Sequence, residues 1–290
     1  MVNLTNLSIF CKFKHEKGLI LLKIEEIYNN YLESLQSIRK EKYNGYEDWY
    51  SGSAAGSCYK KQFYKVNQFE EEPMKEKTKR LLRLGTIVHS DFEKALEMVS
   101  DDLKTDGYDL YIEHKIEIPE WKVIGHLDHC VVKKDGDNFN MWVGDLKTMA
   151  AFSWSNKFGR RSKKGINQTT SFGHYELQLA TYALGMIKQI VPDKYKDFNS
   201  DDFYLNVDRV KNNIKLYIVY YNKNDSNMRI QEVDVNAIDN AIAYWRDLND
   251  FNDDLSNKEI EIIKPNGSIG VPMQSWECKY CNYETICTSQ

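Results

Sequence analysis

Apolar positions in the first part of the chain recur every three or four residues. Ile20, Ile24, Ile27, Tyr31, Leu35 and Ile38 form one stripe, which predicts a helix over residues 19–43. Leu81, Val88, Phe92, Ala95, Leu96 and Val99 form a second, predicting a helix over residues 79–99 with His89 and Glu93 together on a separate polar edge. From Tyr111 the period shortens to two. Residues 111–118, 122–132 and 140–147 read as strands, and the polar stretch 133–138 supplies the turn between the second and third. Helical spacing returns over residues 174–190, followed by strand-like runs at 203–207, 214–221 and 230–235 and an amphipathic helix over 238–251. This order predicts an α/β fold, a central mixed sheet flanked by helices. An N-terminal helical extension over residues 1–50, a core over 51–265 and a Cys-rich tail over 266–290 complete the expected organisation.

Composition supports a chain that fills its own core. Hydrophobic residues make up 42%, aromatics 13%, and only 5 residues are Pro, which excludes wholesale disorder and fibrous repeats. The formal net charge of −4 argues against a general polyanion-binding surface, though a local basic patch can still grip nucleic acid. No apolar run approaches the ~18–20 residues of a membrane span. The start has no basic segment followed by an apolar one, so a cytoplasmic protein of a bacterial or phage-infected cell is expected. In a reducing compartment the 6 Cys are expected to ligate metal or to be buried.

The hairpin over residues 122–147 can be tested for where its polar side chains point. Asp145 and Lys147 are two apart and share a face. A turn centred on Asp135-Gly136 and one centred on Gly136-Asp137 both put Asp128 on that face. Two acids and an ammonium then converge amid Val123, Val131, Trp142 and Val143, a costly arrangement to bury without a function. Two carboxylates suit Mg²⁺ or Mn²⁺, and a neighbouring lysine can hold or help deprotonate a water and offset phosphate charge. A structural salt bridge at a strand end is the other reading of Asp145-Leu146-Lys147 taken alone.

Four short patterns follow one another in order: Gly85-x3-His89, Gly125-x2-Asp128, Asp145-x-Lys147 and Gln178-x3-Tyr182. With them the chain resembles the RecB-type exonucleases of the PD-(D/E)XK nuclease superfamily, over roughly residues 50–190 and the tail. The resemblance implies that His89, Asp128 and Asp145 bind Mg²⁺ or Mn²⁺, that Lys147 assists the attacking water, and that Gln178 and Tyr182 orient the site and touch the substrate backbone. Glu113 fits an acidic position of these nucleases, with Glu117 a competitor on the same face. His126 and His129 flank Asp128 and are read as structural, with His129 facing away from it.

The tail carries Cys278, Cys281 and Cys287 as C-x2-C-x5-C, one thiol short of the usual four-ligand sulfur site. The resemblance extends to the iron–sulfur branch of the same nucleases, in which one upstream cysteine, here Cys58, joins three in the tail around a 4Fe-4S cluster that staples the chain ends together. Zinc fits the same spacing. Cys11 and Cys130 have no partner spacing, and Cys130 is expected in the core.

Residues 149–175 form an insertion with Lys157, Arg160, Arg161, Lys163 and Lys164 and no acid, interleaved with Phe152, Trp154, Phe158 and Phe172. Cations for phosphates and aromatics for bases are the ingredients of a single-strand grip, and Arg160, Arg161, Lys163 and Lys164 are the expected DNA contacts. The expected function is a metal-dependent DNA nuclease, an exonuclease of recombination, repair or replication, with helicase, recombination or CRISPR-adaptation proteins as possible partners. A non-catalytic DNA-end-binding subunit with a structural cluster or zinc site is the alternative.

Overall fold

The computed structural model describes residues 24–136, 138–159, 173–190, 207–255, 270–272 and 275–288. In chain order the helices and strands are α1 (Ile24–Lys42), β1 (Tyr50–Ser51), α2 (Tyr59–Val66), α3 (Glu76–Glu97), α4 (Ser100–Thr105), β2 (Tyr108–Ile118), β3 (Val123–Asp135) and β4 (Asn138–Met149). They continue with α5 (Ala151–Phe158), α6 (Gly173–Ile190), β5 (Ile214–Asn222), β6 (Met228–Val233), α7 (Ala237–Leu255), α8 (Ser275–Lys279) and α9 (Glu284–Thr288). The expected strand at 203–207 falls almost wholly outside the described residues, as does Cys11. None of the described helices is long and apolar enough to cross a membrane.

The strands form one mixed six-stranded sheet. β2 runs antiparallel along one edge of β3, from Ile118 opposite Val123 to Tyr108 opposite Lys133. The other edge of β3 is shared. β4 pairs antiparallel with it from Asp135↔Asn138 back to His129↔Gly144, while β1 pairs in parallel with Val123 and Ile124. The turn is therefore the one centred on Gly136-Asp137, and Asp128 and Asp145 stand just beyond the last hairpin pair. β5 joins β4 in parallel and β6 closes the sheet antiparallel.

Helix α6 is apolar nearly all round, and every residue from Leu177 to Ile187 is buried. Such a helix needs cover on both sides. It lies between the sheet and α7, where Trp245 Nε1 donates to Thr181 Oγ1 at 2.9 Å. Its approach to β2 is close enough that a Cβ at Gly185 would sit 1.8 Å from Ile116 Cγ2. Helix α3 has no fully buried residue and meets positions of β3 and β4 that alternate out of phase with Asp128 and Lys147: Phe92 lies against His129, and Gly85 against Thr148. α1 is tied to α3 by polar contacts, Arg80 reaching Glu25 at 2.8 Å and Asn29 at 2.9 Å.

At the far end, α2 and α9 come together around Phe63, Tyr64 and Tyr283, with Phe251 of α7, Cys281, Ile286 and Cys287 packed against these rings. Glu71 and Glu72, just after α2, clasp the tail. Tyr283 Oη donates to Glu71 at 2.9 Å, the Thr285 backbone N–H and Oγ1 donate to Glu72 at 2.9 and 2.6 Å, and Glu72 N–H donates to Asn282 O at 2.8 Å.

Candidate active site

Where β3 and β4 part, backbone groups lose their ladder partners and side chains take over. Leu146 N–H donates to Asp128 Oδ2 at 2.6 Å, so the carboxylate itself substitutes for the missing strand pair. Asp128 Oδ1 lies 3.5 Å from His89 Nδ1 on α3. Burial disfavours charge on both groups, but their attraction outweighs it, so Asp128 sits below and His89 above its ordinary value.

Asp145 is fully buried. Lys147 Nζ stands 2.7 Å from its Oδ2. Burial raises the carboxyl to about 6 against the pull of Lys147. Burial would depress the lysine, but Asp145 and Asp128 together raise it, so it is firmly an ammonium. Gln178 on α6 reads both charges: its Oε1 accepts from Lys147 Nζ at 2.9 Å, and its Nε2 lies 3.3 Å from Asp145 Oδ1 and from Tyr182 Oη. Tyr182 fits because glycines flank it. A Cβ at Gly52 or at Gly125 would fall 2.8 Å from its ring, which gives the Gly of Gly125-x2-Asp128 a steric reason.

All six residues expected from the ordered patterns are thus brought together, on four elements: His89 from α3, Asp128 from β3, Asp145 and Lys147 from β4, Gln178 and Tyr182 from α6. Glu113 falls opposite Asp128 in the β2–β3 register and holds a left-handed φ of 46°, while its charge reaches Glu93 on α3. Non-glycine residues adopt that conformation at a cost, and such strain clusters at functional sites. Its competitor Glu117 is instead bound to Lys115 and to Tyr46. His129 faces away from Asp128, bonded to Tyr217 Oη at 2.7 Å, and His126 meets Tyr43 Oη at 3.0 Å. Cys130 is core.

The insertion differs from a plain loop. Its first part is α5, whose Trp154 and Phe158 pack on the core, leaving Phe152 exposed; Phe158 meets Tyr220 edge-on and Lys157 lies over the same ring. Arg160, Arg161, Lys163, Lys164 and Phe172 lie outside the described residues. Sequence reasoning missed Tyr175, whose ring centroid is 5.2 Å from Lys147 Nζ, and Tyr220 on β5. Only the β4–β5 register identifies Tyr220, and a parallel pairing across so long a connection leaves no local signal.

The four tail-site cysteines are free thiols gathered at one end of the fold. Burial pushes Cys58, at the N-terminus of α2, up to about 11, and the charges of Cys281 and Cys287 act on it in the same direction. Cys278 in turn is raised by burial and then by Cys287 and Cys281. Among the described residues, no three His, Cys, Asp or Glu side chains are already gathered in the arrangement of a metal site. The donor chemistry nevertheless fits: two carboxylates and an imidazole at one site, and mutually interacting thiols at the other.

Comparison with known proteins gives a sequence match to the PD-(D/E)XK nuclease superfamily over residues 54–288. No curated protein matches significantly. Among solved structures, the chain is similar to SSO0001, with 16% identity, 91% of this chain and 97% of that one covered, and a TM-score of 0.47. It is also similar to a candidate exonuclease from Eubacterium rectale, with 14% identity, 76% and 87% covered, and a TM-score of 0.44.

Proposed function

The chain belongs to the PD-(D/E)XK nuclease superfamily, and from that premise we propose that it is a divalent-metal-dependent deoxyribonuclease, an exonuclease acting on DNA ends in recombination, repair or replication. The observation that carries this reading is the convergence of the fully buried Asp145 with Asp128, the Lys147 ammonium and the His89 imidazole where the hairpin parts. Two acids gathered in an apolar setting are costly to bury without a function.

His89, Asp128 and Asp145 would hold Mg²⁺ or Mn²⁺, whose preference for oxygen donors suits two carboxylates. When bound, the ion supplies Lewis-acid polarisation of the phosphodiester and a more acidic water. The raised Lys147 is a hydrogen-bond donor and a fixed positive charge, not a base. It orients the attacking water and stabilises the charge that grows on the phosphate. Gln178 aims that ammonium, Tyr182 braces Gln178, and His89 steadies Asp128. Glu113, opposite Asp128, assists in orienting the substrate.

In the same reading, Cys58, Cys278, Cys281 and Cys287 would hold a 4Fe-4S cluster, making the tail a staple that completes the fold; zinc is the alternative metal. Arg160, Arg161, Lys163 and Lys164 grip the strand. The test is digestion of end-labelled single- and double-stranded DNA with Mg²⁺, Mn²⁺ or EDTA. Metal-dependent shortening from the ends is expected. DNA that is bound but uncut with either metal would instead identify an end-binding subunit.

A further inference from the structure

Tyr175, Gln178 and Tyr182 follow one another at spacings of three and four on α6, so one edge of the helix carries all three to the carboxylate site. Gln178 and Tyr182 are buried there, whereas Tyr175, in the first turn, is half-buried. Its ring is flanked by two others. His174 packs against it at 4.1 Å between centroids, and Tyr220, which leaves β5 on the same face as Lys147, lies 6.5 Å away. Lys147 Nζ sits over the Tyr175 ring, 5.2 Å from its centroid and within reach of a cation–π contact.

An ammonium on a four-carbon stem is a flexible charge with three donors. Lys147 donates to Gln178 Oε1 at 2.9 Å and stands 2.7 Å from Asp145 Oδ2. A further acceptor beside them would occupy the donor that a water needs. A ring face attracts the charge without a directed bond, so it restrains the stem and leaves that donor open. Only 14% of the lysine side chain is exposed, so little water competes with the ring for the charge. We propose that Tyr175 is a positioning residue acting through Lys147, the face of its ring holding the ammonium where it meets the attacking water. This rests on the nuclease reading, and deepens it with a residue that none of the four ordered sequence patterns contains.

The contact and its use are measured separately. In metal-free protein carrying ¹³C-labelled lysine, the Lys147 ε-methylene signal, assigned by its loss in Lys147→Ala, should be shifted upfield by the ring in wild type and in Tyr175→Phe. The shift should disappear in Tyr175→Leu and in Tyr175→Met, two ringless variants carried together so that one decides if the other misfolds. On an end-labelled oligonucleotide with Mn²⁺, kcat of the ringless variants should fall roughly 10- to 100-fold with KM near wild type, because a misplaced catalytic group weakens the transition state and not ground-state binding. Tyr175→Phe should match wild type. A raised KM at unchanged kcat would put the ring on the substrate instead, and a Phe variant as slow as the ringless ones would make the hydroxyl the active part; either overturns the proposal, as do ringless variants with wild-type kinetics. Misfolding of both ringless variants would make the ring a packing element and overturn it as well. An unshifted Lys147 signal in wild type removes the contact whatever the protein cuts, whereas wild type that shows the shift and cuts no oligonucleotide overturns the nuclease reading and the positioning role with it.

Discussion

Asp128 meets Asp145 through a ladder of strand pairs, whereas Cys58 meets Cys281 and Cys287 across more than 200 residues of chain, with short helices and a carboxylate clasp around them. The first site inherits its geometry from the sheet: once the hairpin registers, the faces of Asp128, Asp145 and Lys147 are set. The thiol end inherits nothing of the kind. Its three rings make a small satellite core, and the Glu71 and Glu72 bonds are surface contacts of modest individual value. On the proposed reading, the prebuilt site would take a metal for its chemistry and the weakly closed one a metal for its closure. That contrast yields expectations that can break it.

The largest effect should come from Lys147→Ala, which should slow single-turnover cleavage by at least roughly 100-fold while DNA affinity in Ca²⁺ stays near wild type. Turnover within a fewfold of wild type would take the lysine out of the mechanism. At the other end, Cys58→Ala or Cys278→Ala should cost stability before chemistry. A metal cross-link closing so long a loop contributes roughly 4–5 kcal/mol by chain entropy, so lower melting and early proteolysis of the tail are expected. The absorbance of anaerobically purified protein separates iron–sulfur from zinc.

The pH response of metal-free protein should report the Asp145 site. Its carboxyl is raised from 3.8 to about 6 by burial, so the folded chain keeps a proton that the unfolded chain has lost. The associated stability is fully present below about pH 4 and disappears as pH rises through 6, on the order of 3 kcal/mol. Asp128, lowered because His89 offsets its burial, works oppositely and loses its contribution as pH falls below its ordinary value. Melting curves over this window should therefore flatten on the alkaline side in Asp145→Asn, and Mn²⁺ should protect wild type most where Asp145 is ionised. A slope unchanged in the variant would place the titration elsewhere.

Replacing Arg160, Arg161, Lys163 and Lys164 by Ala should flatten the salt dependence of single-strand binding by up to ~0.7 per lost contact and alter the saturated rate less than the affinity. An unaltered slope would move the DNA path away from the insertion. Glu72→Gln, which weakens the acceptor for two Thr285 donors, should lower the melting temperature only slightly, seen most clearly after metal removal.

The sheet and the carboxylate site were legible because period-two alternation carries face information, and two possible turns gave one answer for Asp128. Gln178 and Tyr182 were legible as a spacing, but not the steric reason for Gly125, which depends on Tyr182 crossing from another element. α5 was hidden because residues 151–158 sit among small and polar positions whose apolar partner, Tyr220, lies far along the chain. That Glu113, and not Glu117, lies opposite Asp128 likewise needed the β2–β3 register, since both share one face of the strand.

The connection from β4 to β5 is a crossover between parallel neighbours, and it carries α5, the basic insertion and α6 in a single excursion. Chain inserted into such an excursion alters closure entropy only logarithmically and leaves the strand register untouched. Substrate reach can therefore be lengthened, shortened or recharged over evolutionary time without disturbing Asp145 or Lys147, making this stretch the natural place for lineages to diverge in what they hold while agreeing on how they cut.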